Sequence, residues 1–179
     1  MTQIPNLLSA SRLVLAPFVF LLLWRREYSI ALALLGIAGI TDALDGLFAR
    51  RFGAASRLGA YLDPIADKVL LSGIFLTLAL DGAIEPWLAI LVLGRDTAIL
   101  LFAGGAFLFS KSLREFPPST WGKGSTVAQI LFILALVSHL AGIGSEPIVT
   151  ALKWLTVAAT AGSGLDYAWR GLRMVKATT

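Results

Sequence analysis

Apolar residues run along this chain in long blocks, near residues 8–25, 29–50, 60–80, 86–109, 122–141 and 147–170. A helix needs about 20 apolar residues to cross the hydrocarbon core of a bilayer, and each block comes close to that length. Ahead of the first block, "TQIPNLL" is too short to cross and predicts a short interfacial helix. No internal repeat, low-complexity tract or long linker interrupts the series. The pattern predicts an all-α integral membrane protein. It would have six transmembrane helices, a short N-terminal interfacial segment, and one domain over residues 1–179.

Composition strengthens that reading. The chain is 57% hydrophobic and 15% charged, where soluble domains run at about half apolar and about a quarter charged. No single soluble core of this size could hide so much apolar surface, whereas a bilayer can. The stretch "LVLAPFVFLLL" after Arg12 has the look of a signal sequence, but "WRRE" follows it in place of a small-residue cleavage site. It is expected to stay as the first span.

Charge sets the orientation. Arg50, Arg51, Arg57, Lys111, Arg114, Lys123, Arg170, Arg173 and Lys176 fall on one side of the six-span arrangement. The other side has Arg25 and Arg26 beside Glu27, then the acids Asp81, Glu85 and Glu146. Basic loops stay in the cytoplasm, so both termini and the loop after the second span should face it. A bacterial inner membrane is the expected location. The net charge of +4 is accounted for by topology and anionic lipid, and no nucleic-acid partner is expected. Trp24, Trp87, Trp121 and Trp169 fall near span ends, as in an aromatic belt. Small-residue runs such as "FAGGAF" and "TAGSG" suit close helix packing and oligomer contacts.

Against this apolar background, "TDALDGLFARRFGAASRLGAYLDPIADK" carries four aspartates, Asp42, Asp45, Asp63 and Asp67. A carboxylate at mid-bilayer costs on the order of 3 kcal/mol, less if it reaches a cytoplasmic cavity or binds a cation. Offsets of three and four residues leave helical side chains about 60° and about 40° apart, so each pair shares a face. The connection "RRFGAASRLG" reverses the chain and predicts antiparallel neighbours with the pairs facing one crevice. Four carboxylates repel unless protonated or metal-bound. The absence of cysteine and the single histidine, His139, leave oxygen donors, which suit Mg²⁺ or Mn²⁺. Two such ions would make a two-metal phosphoryl-transfer site. Gly46, Ala49 and Gly59 lie on the aspartate faces and leave room for a headgroup. Arg50 ends the second span, where its guanidinium can grip phosphate bidentately.

The series Asp42-x-x-Asp45-Gly46-x-x-Ala49-Arg50, then Gly59-x-x-x-Asp63-x-x-x-Asp67, resembles the complete signature of the CDP-alcohol phosphatidyltransferases at every fixed position. The resemblance implies a six-helix membrane enzyme, commonly a homodimer, that displaces CMP from a CDP-linked lipid or alcohol with an acceptor hydroxyl. It implies that Asp42, Asp45 and Asp63 are metal ligands, and that Asp67 is both ligand and general base. Gly46, Ala49, Arg50 and Gly59 would line the CDP site.

Other segments bear on the acceptor. "IPNLLSASR", "LDPIADK", "WGKGSTVAQ" and "GLDYAWRG" resemble segments of phosphatidylglycerophosphate synthases and eukaryotic-type cardiolipin synthases. This implies CDP-diacylglycerol as donor and a glycerol-type acceptor, with glycerol-3-phosphate expected first and phosphatidylglycerol as the alternative. Phosphatidylglycerophosphate synthases usually carry Arg-Glu in the fourth span and a second arginine two turns on. Here Arg95-Asp96 resembles the cardiolipin-synthase branch, and "LFAGGA" lacks the second arginine. Arg95 and Lys123 are the candidates for an acceptor phosphate, with an internal Arg95–Asp96 pair as the alternative for Arg95. Lys68, Asp96 and Asp166 take no assigned role, and His139 is expected in a loop. A membrane prenyltransferase would place two acidic motifs far apart, and a divalent-cation transporter would spread acids over several helices. Neither matches one compact cluster.

Overall fold

A computed structural model describes the backbone of residues 4–52, 57–110 and 120–178, and the side chains of residues 14–41, 68–101 and 121–169. Among the described residues there are six helices and no strand: α1 (Ile4–Trp24), α2 (Tyr28–Phe52), α3 (Arg57–Leu80), α4 (Pro86–Ser110), α5 (Thr120–Leu140) and α6 (Glu146–Thr178). Each apolar block became one helix. Two differences stand out. The segment expected as a separate interfacial helix is continuous with the first block, since α1 starts at Ile4 and runs through Pro17 without a break. The last helix runs past the apolar block to Thr178, because "RGLRMVKAT" contains no Gly-Pro stop, only a change from apolar to basic residues.

Two stretches, Trp121–Leu140 and Glu146–Trp169, are long and apolar enough to cross a membrane. Val14–Trp24, Tyr28–Thr41 and Lys68–Leu80 are apolar but shorter within the described residues. Many large apolar side chains point outward, among them Ile40, Leu101, Ile90 and Leu165. A soluble monomer does not carry apolar surface on this scale, and association with a membrane accounts for it.

Three helices end in the same way. At the end of α3 the Gly82 N–H donates to the Ala79 carbonyl (3.2 Å) and the Ala83 N–H to the Leu78 carbonyl (2.9 Å). At the end of α5 Gly142 N–H donates to His139 and Ile143 N–H to Ser138, both at 2.9 Å. These are Schellman closures, with Gly82 and Gly142 at φ of 78° and 80°. The end of α1 repeats the pattern, Arg26 to Leu23 (3.0 Å) and Glu27 to Leu22 (2.9 Å). There the left-handed residue is Arg26, at φ 60°. Pro86 opens α4 and Pro147 lies in the first turn of α6, where a missing N–H costs nothing.

The chain divides into two compact units, one of Met1–Glu85 with Val137–Gly144, the other of Pro86–Leu136 with Ser145–Thr179. In the first, α1 packs against both α2 and α3. Gly73 permits the α1–α3 approach, because a methyl group there would lie 2.7 Å from Phe20 Cε1. Val19, Leu23, Phe75 and Leu78 are fully buried. In the second unit α4 packs against α6, and Leu88, Val92 and Phe132 are buried.

Candidate functional site

The four aspartates lie on two helices of the first unit. Asp42, Asp45, Gly46, Ala49 and Arg50 occupy the second half of α2, and Gly59, Asp63 and Asp67 the first half of α3. The backbone at these positions is helical, which is the condition the spacing argument set. The eight side chains lie outside the described ones. Among the described residues no three carboxylate or imidazole groups gather into a metal site, so the metal expectation rests on Asp42, Asp45, Asp63 and Asp67. Their oxygen-only donor set suits a hard divalent cation.

The turns that follow α1 and α3 in the first unit are held together by charge. Asp81 accepts from Arg26 Nε (3.1 Å) through one carboxylate oxygen and from the Tyr28 hydroxyl (3.1 Å) through the other. Arg26 thus ties the α1–α2 turn to the end of α3. His139 sits in the last turn of α5 rather than in the loop, with Nδ1 3.3 Å from the Gly144 carbonyl.

In the second unit the two acceptor-phosphate candidates differ sharply. Lys123 is exposed in the first turn of α5. The Arg95 side chain is buried, 7% exposed, and its Nη1 donates to Asp96 Oδ1 at 2.5 Å. Its Nε donates to Ser163 Oγ on α6 at 3.2 Å, and its Nη2 contacts the same oxygen. The Tyr167 ring lies 6.0 Å from the guanidinium carbon, within cation–π range.

Four further residues were not singled out by sequence reasoning. Ser125, Gln129, Thr156 and Thr160 are fully buried and join α5 to α6. The Ser125 and Thr160 hydroxyls are 3.2 Å apart, Gln129 Nε2 donates to both at 3.3 Å, and Thr156 donates to the Ala128 carbonyl at 3.0 Å. Gln129 ends the "GKGSTVAQ" segment, so the available signal was polar residues at spacings of three and four inside an apolar block. An apolar groove of about 370 Å³ also opens on α5 and α6, between Trp121 and Leu131. It offers no charge to a phosphate.

Comparison with known proteins follows the same lines. A family model described as CDP-alcohol phosphatidyltransferase matches residues 2–162. The chain is 33% identical to a CDP-diacylglycerol–glycerol-3-phosphate 3-phosphatidyltransferase of Aquifex aeolicus, over 97% of this chain and 98% of the relative. It is 32% identical to a probable phosphatidylglycerophosphate synthase of Mycobacterium tuberculosis, covering 96% and 82%. A probable cardiolipin synthase (CMP-forming) of Drosophila melanogaster is also 32% identical, with 92% of this chain matching 56% of that protein.

Proposed function

Because the chain belongs to the CDP-alcohol phosphatidyltransferase family, we propose that it transfers a phosphatidyl group from CDP-diacylglycerol to a glycerol-type acceptor, releasing CMP. The acceptor is glycerol-3-phosphate and the product phosphatidylglycerophosphate. The observation that carries this reading is the complete aspartate series from Asp42 to Asp67 in a chain that aligns with the Aquifex relative almost end to end.

In the mechanism that follows, Asp67 takes the proton from the acceptor hydroxyl, as a positioned carboxylate can. The hydroxyl oxygen bonds to the phosphorus that carries diacylglycerol. The bond from that phosphorus to the bridging oxygen breaks, and CMP leaves with the electron pair. Asp42, Asp45, Asp63 and Asp67 would hold two Mg²⁺ or Mn²⁺ ions, which supply charge neutralisation for the diphosphate. Gly46, Ala49 and Gly59 give the CDP moiety room, Arg50 binds its phosphate, and Lys123 is assigned to the acceptor phosphate. The protein works as six spans of one domain in a bacterial inner membrane, as a homodimer, with both termini and the aspartates on the cytoplasmic side.

The alternative acceptor is phosphatidylglycerol, which the Arg95-Asp96 pair and the Drosophila relative favour. The deciding experiment measures CMP release by purified protein in detergent. CDP-diacylglycerol and Mg²⁺ or Mn²⁺ are supplied, with glycerol-3-phosphate and phosphatidylglycerol in separate reactions. Release with glycerol-3-phosphate, abolished by a chelator and restored by metal, is expected. Release with phosphatidylglycerol alone would make the enzyme a cardiolipin synthase, and release with neither would overturn the assigned acceptor class.

A further inference from the structure

We infer that Arg95 and Asp96 of α4, with Ser163 of α6, form a charge-neutral clamp that positions α6 in the second unit, and that Arg95 does not bind the acceptor's phosphate. The starting point is cost. Arg95 is the tenth residue of α4, about 14 Å along the helix from its first residue, and its side chain is almost wholly buried. An ionised group in such a place is expensive unless it is paired and hydrogen-bonded. Here both conditions are met from within the unit. Asp96 supplies the counter-charge, and Ser163 takes the Nε and Nη2 edge of the guanidinium fork.

That edge is one an arginine can turn toward a phosphate for bidentate contact. Here it faces a serine hydroxyl. A phosphate approaching Arg95 would have to displace Ser163 and then compete with a carboxylate 2.5 Å from Nη1. Asp96 offsets the charge that would attract it. Lys123 is exposed and meets neither obstacle.

The other end of the clamp fits the same role. Thr156, Thr160 and Ser163 are spaced by four and three residues, which puts them along one face of α6, and all three are buried. Thr156 and Thr160 bond to α5, and Ser163 to α4. One polar stripe therefore fixes α6 against both neighbours. Between apolar helices in lipid, shape alone gives little preference for one register, and hydrogen bonds across the interface specify it. Tyr167, one turn beyond Ser163, covers the guanidinium.

The clamp is tested in the full-length protein by Arg95→Met, by the double variant Arg95→Met with Asp96→Asn, and by Ser163→Ala. Two readouts are needed, the thermal unfolding midpoint in detergent and the acceptor KM against kcat. Arg95→Met removes the cation beside the buried Asp96 carboxylate and should lower the midpoint and the folded yield, since breaking a buried ion pair is strongly destabilising. The double variant removes both charges and should recover most of that loss. Its acceptor KM should stay within about threefold of wild type, as for a group that makes no ground-state contact with the acceptor. Ser163→Ala should lower the midpoint less than Arg95→Met does. A double variant with a normal midpoint but an acceptor KM raised about tenfold or more would make Arg95 a ligand and overturn the inference. A double variant as unstable as Arg95→Met would overturn it as well. The kinetic readout rests on the proposed reaction and the thermal one does not. Failure of turnover in the wild-type protein would therefore remove the reaction while midpoint rescue still decides the clamp.

Discussion

In the proposed mechanism Asp67 does two things at once, helping to hold a cation and taking a proton. An asparagine keeps its shape and one ligating oxygen but cannot accept that proton. Asp67→Asn should therefore cut CMP release at least about 100-fold, the scale of a lost general base. The protein should still fold and bind CDP-diacylglycerol, as judged by its elution profile and by lipid binding. Near-normal turnover would remove Asp67 from its role. Arg26 shows the opposite kind of residue, one whose part lies in structure. Its left-handed backbone costs about 1–2 kcal/mol relative to glycine, at a turn where Gly82 and Gly142 pay nothing comparable. The contacts to Asp81, with Tyr28 on the second carboxylate oxygen, offset part of that. An exposed pair of this type contributes at most about 1 kcal/mol. The aspartates stand out in the sequence because a charge is conspicuous in an apolar chain. Arg26 does not, because nothing in "WRRE" reveals a positive φ. The pairing of Arg95 was legible only as one of two alternatives, since the competing partner, Ser163, lies 68 residues away.

At the scale of helices, the apolar blocks located all six elements because span length and helix length are set by the same rise per residue. The sequence was weaker at the ends. Ile4 begins α1 directly, and Pro5 is tolerated because it falls in the first helical turn. Contacts between helices were less legible still, because they depend on which small residue meets which large one. Gly73 and Gly36 make the point. Both are helical glycines in the first unit, yet a methyl on Gly73 would overlap the Phe20 ring, while one on Gly36 meets nothing within 4 Å. Gly73→Ala should therefore destabilise the α1–α3 contact by about 1–3 kcal/mol, the cost of overpacking. Gly36→Ala should be neutral or slightly favourable, as alanine is the better helix former. Thermal unfolding of the two variants in the same detergent checks this. Equal midpoints would mean that Phe20 turns aside without cost and that α1 and α3 are not closely fitted there.

At the scale of the whole molecule, the distribution of charge makes a claim that no single helix makes. In the proposed six-span arrangement nine of the arginines and lysines between Arg50 and Lys176 would fall on one side, and Arg25 and Arg26 on the other. Basic residues flanking spans resist translocation, so the side with nine should be cytoplasmic. In the proposed topology the aspartates share that side, where a soluble glycerol-3-phosphate and a released CMP could enter and leave. The chain contains no cysteine, so a single introduced thiol reports its own location against no background. Ser145→Cys falls in the exposed turn between α5 and α6, on the side predicted to face outward. Ser112→Cys falls between Lys111 and Arg114, on the side predicted to face inward. In intact bacterial spheroplasts a membrane-impermeant maleimide should label Ser145→Cys at once, and Ser112→Cys only after the membrane is permeabilised. Labelling of Ser112→Cys from outside would put the basic loops, and with them Asp42 to Asp67, on the wrong face for a cytoplasmic acceptor. Protection of both thiols in intact cells would mean that α5 does not cross. The six-span arrangement would then fall, whatever the enzyme's activity.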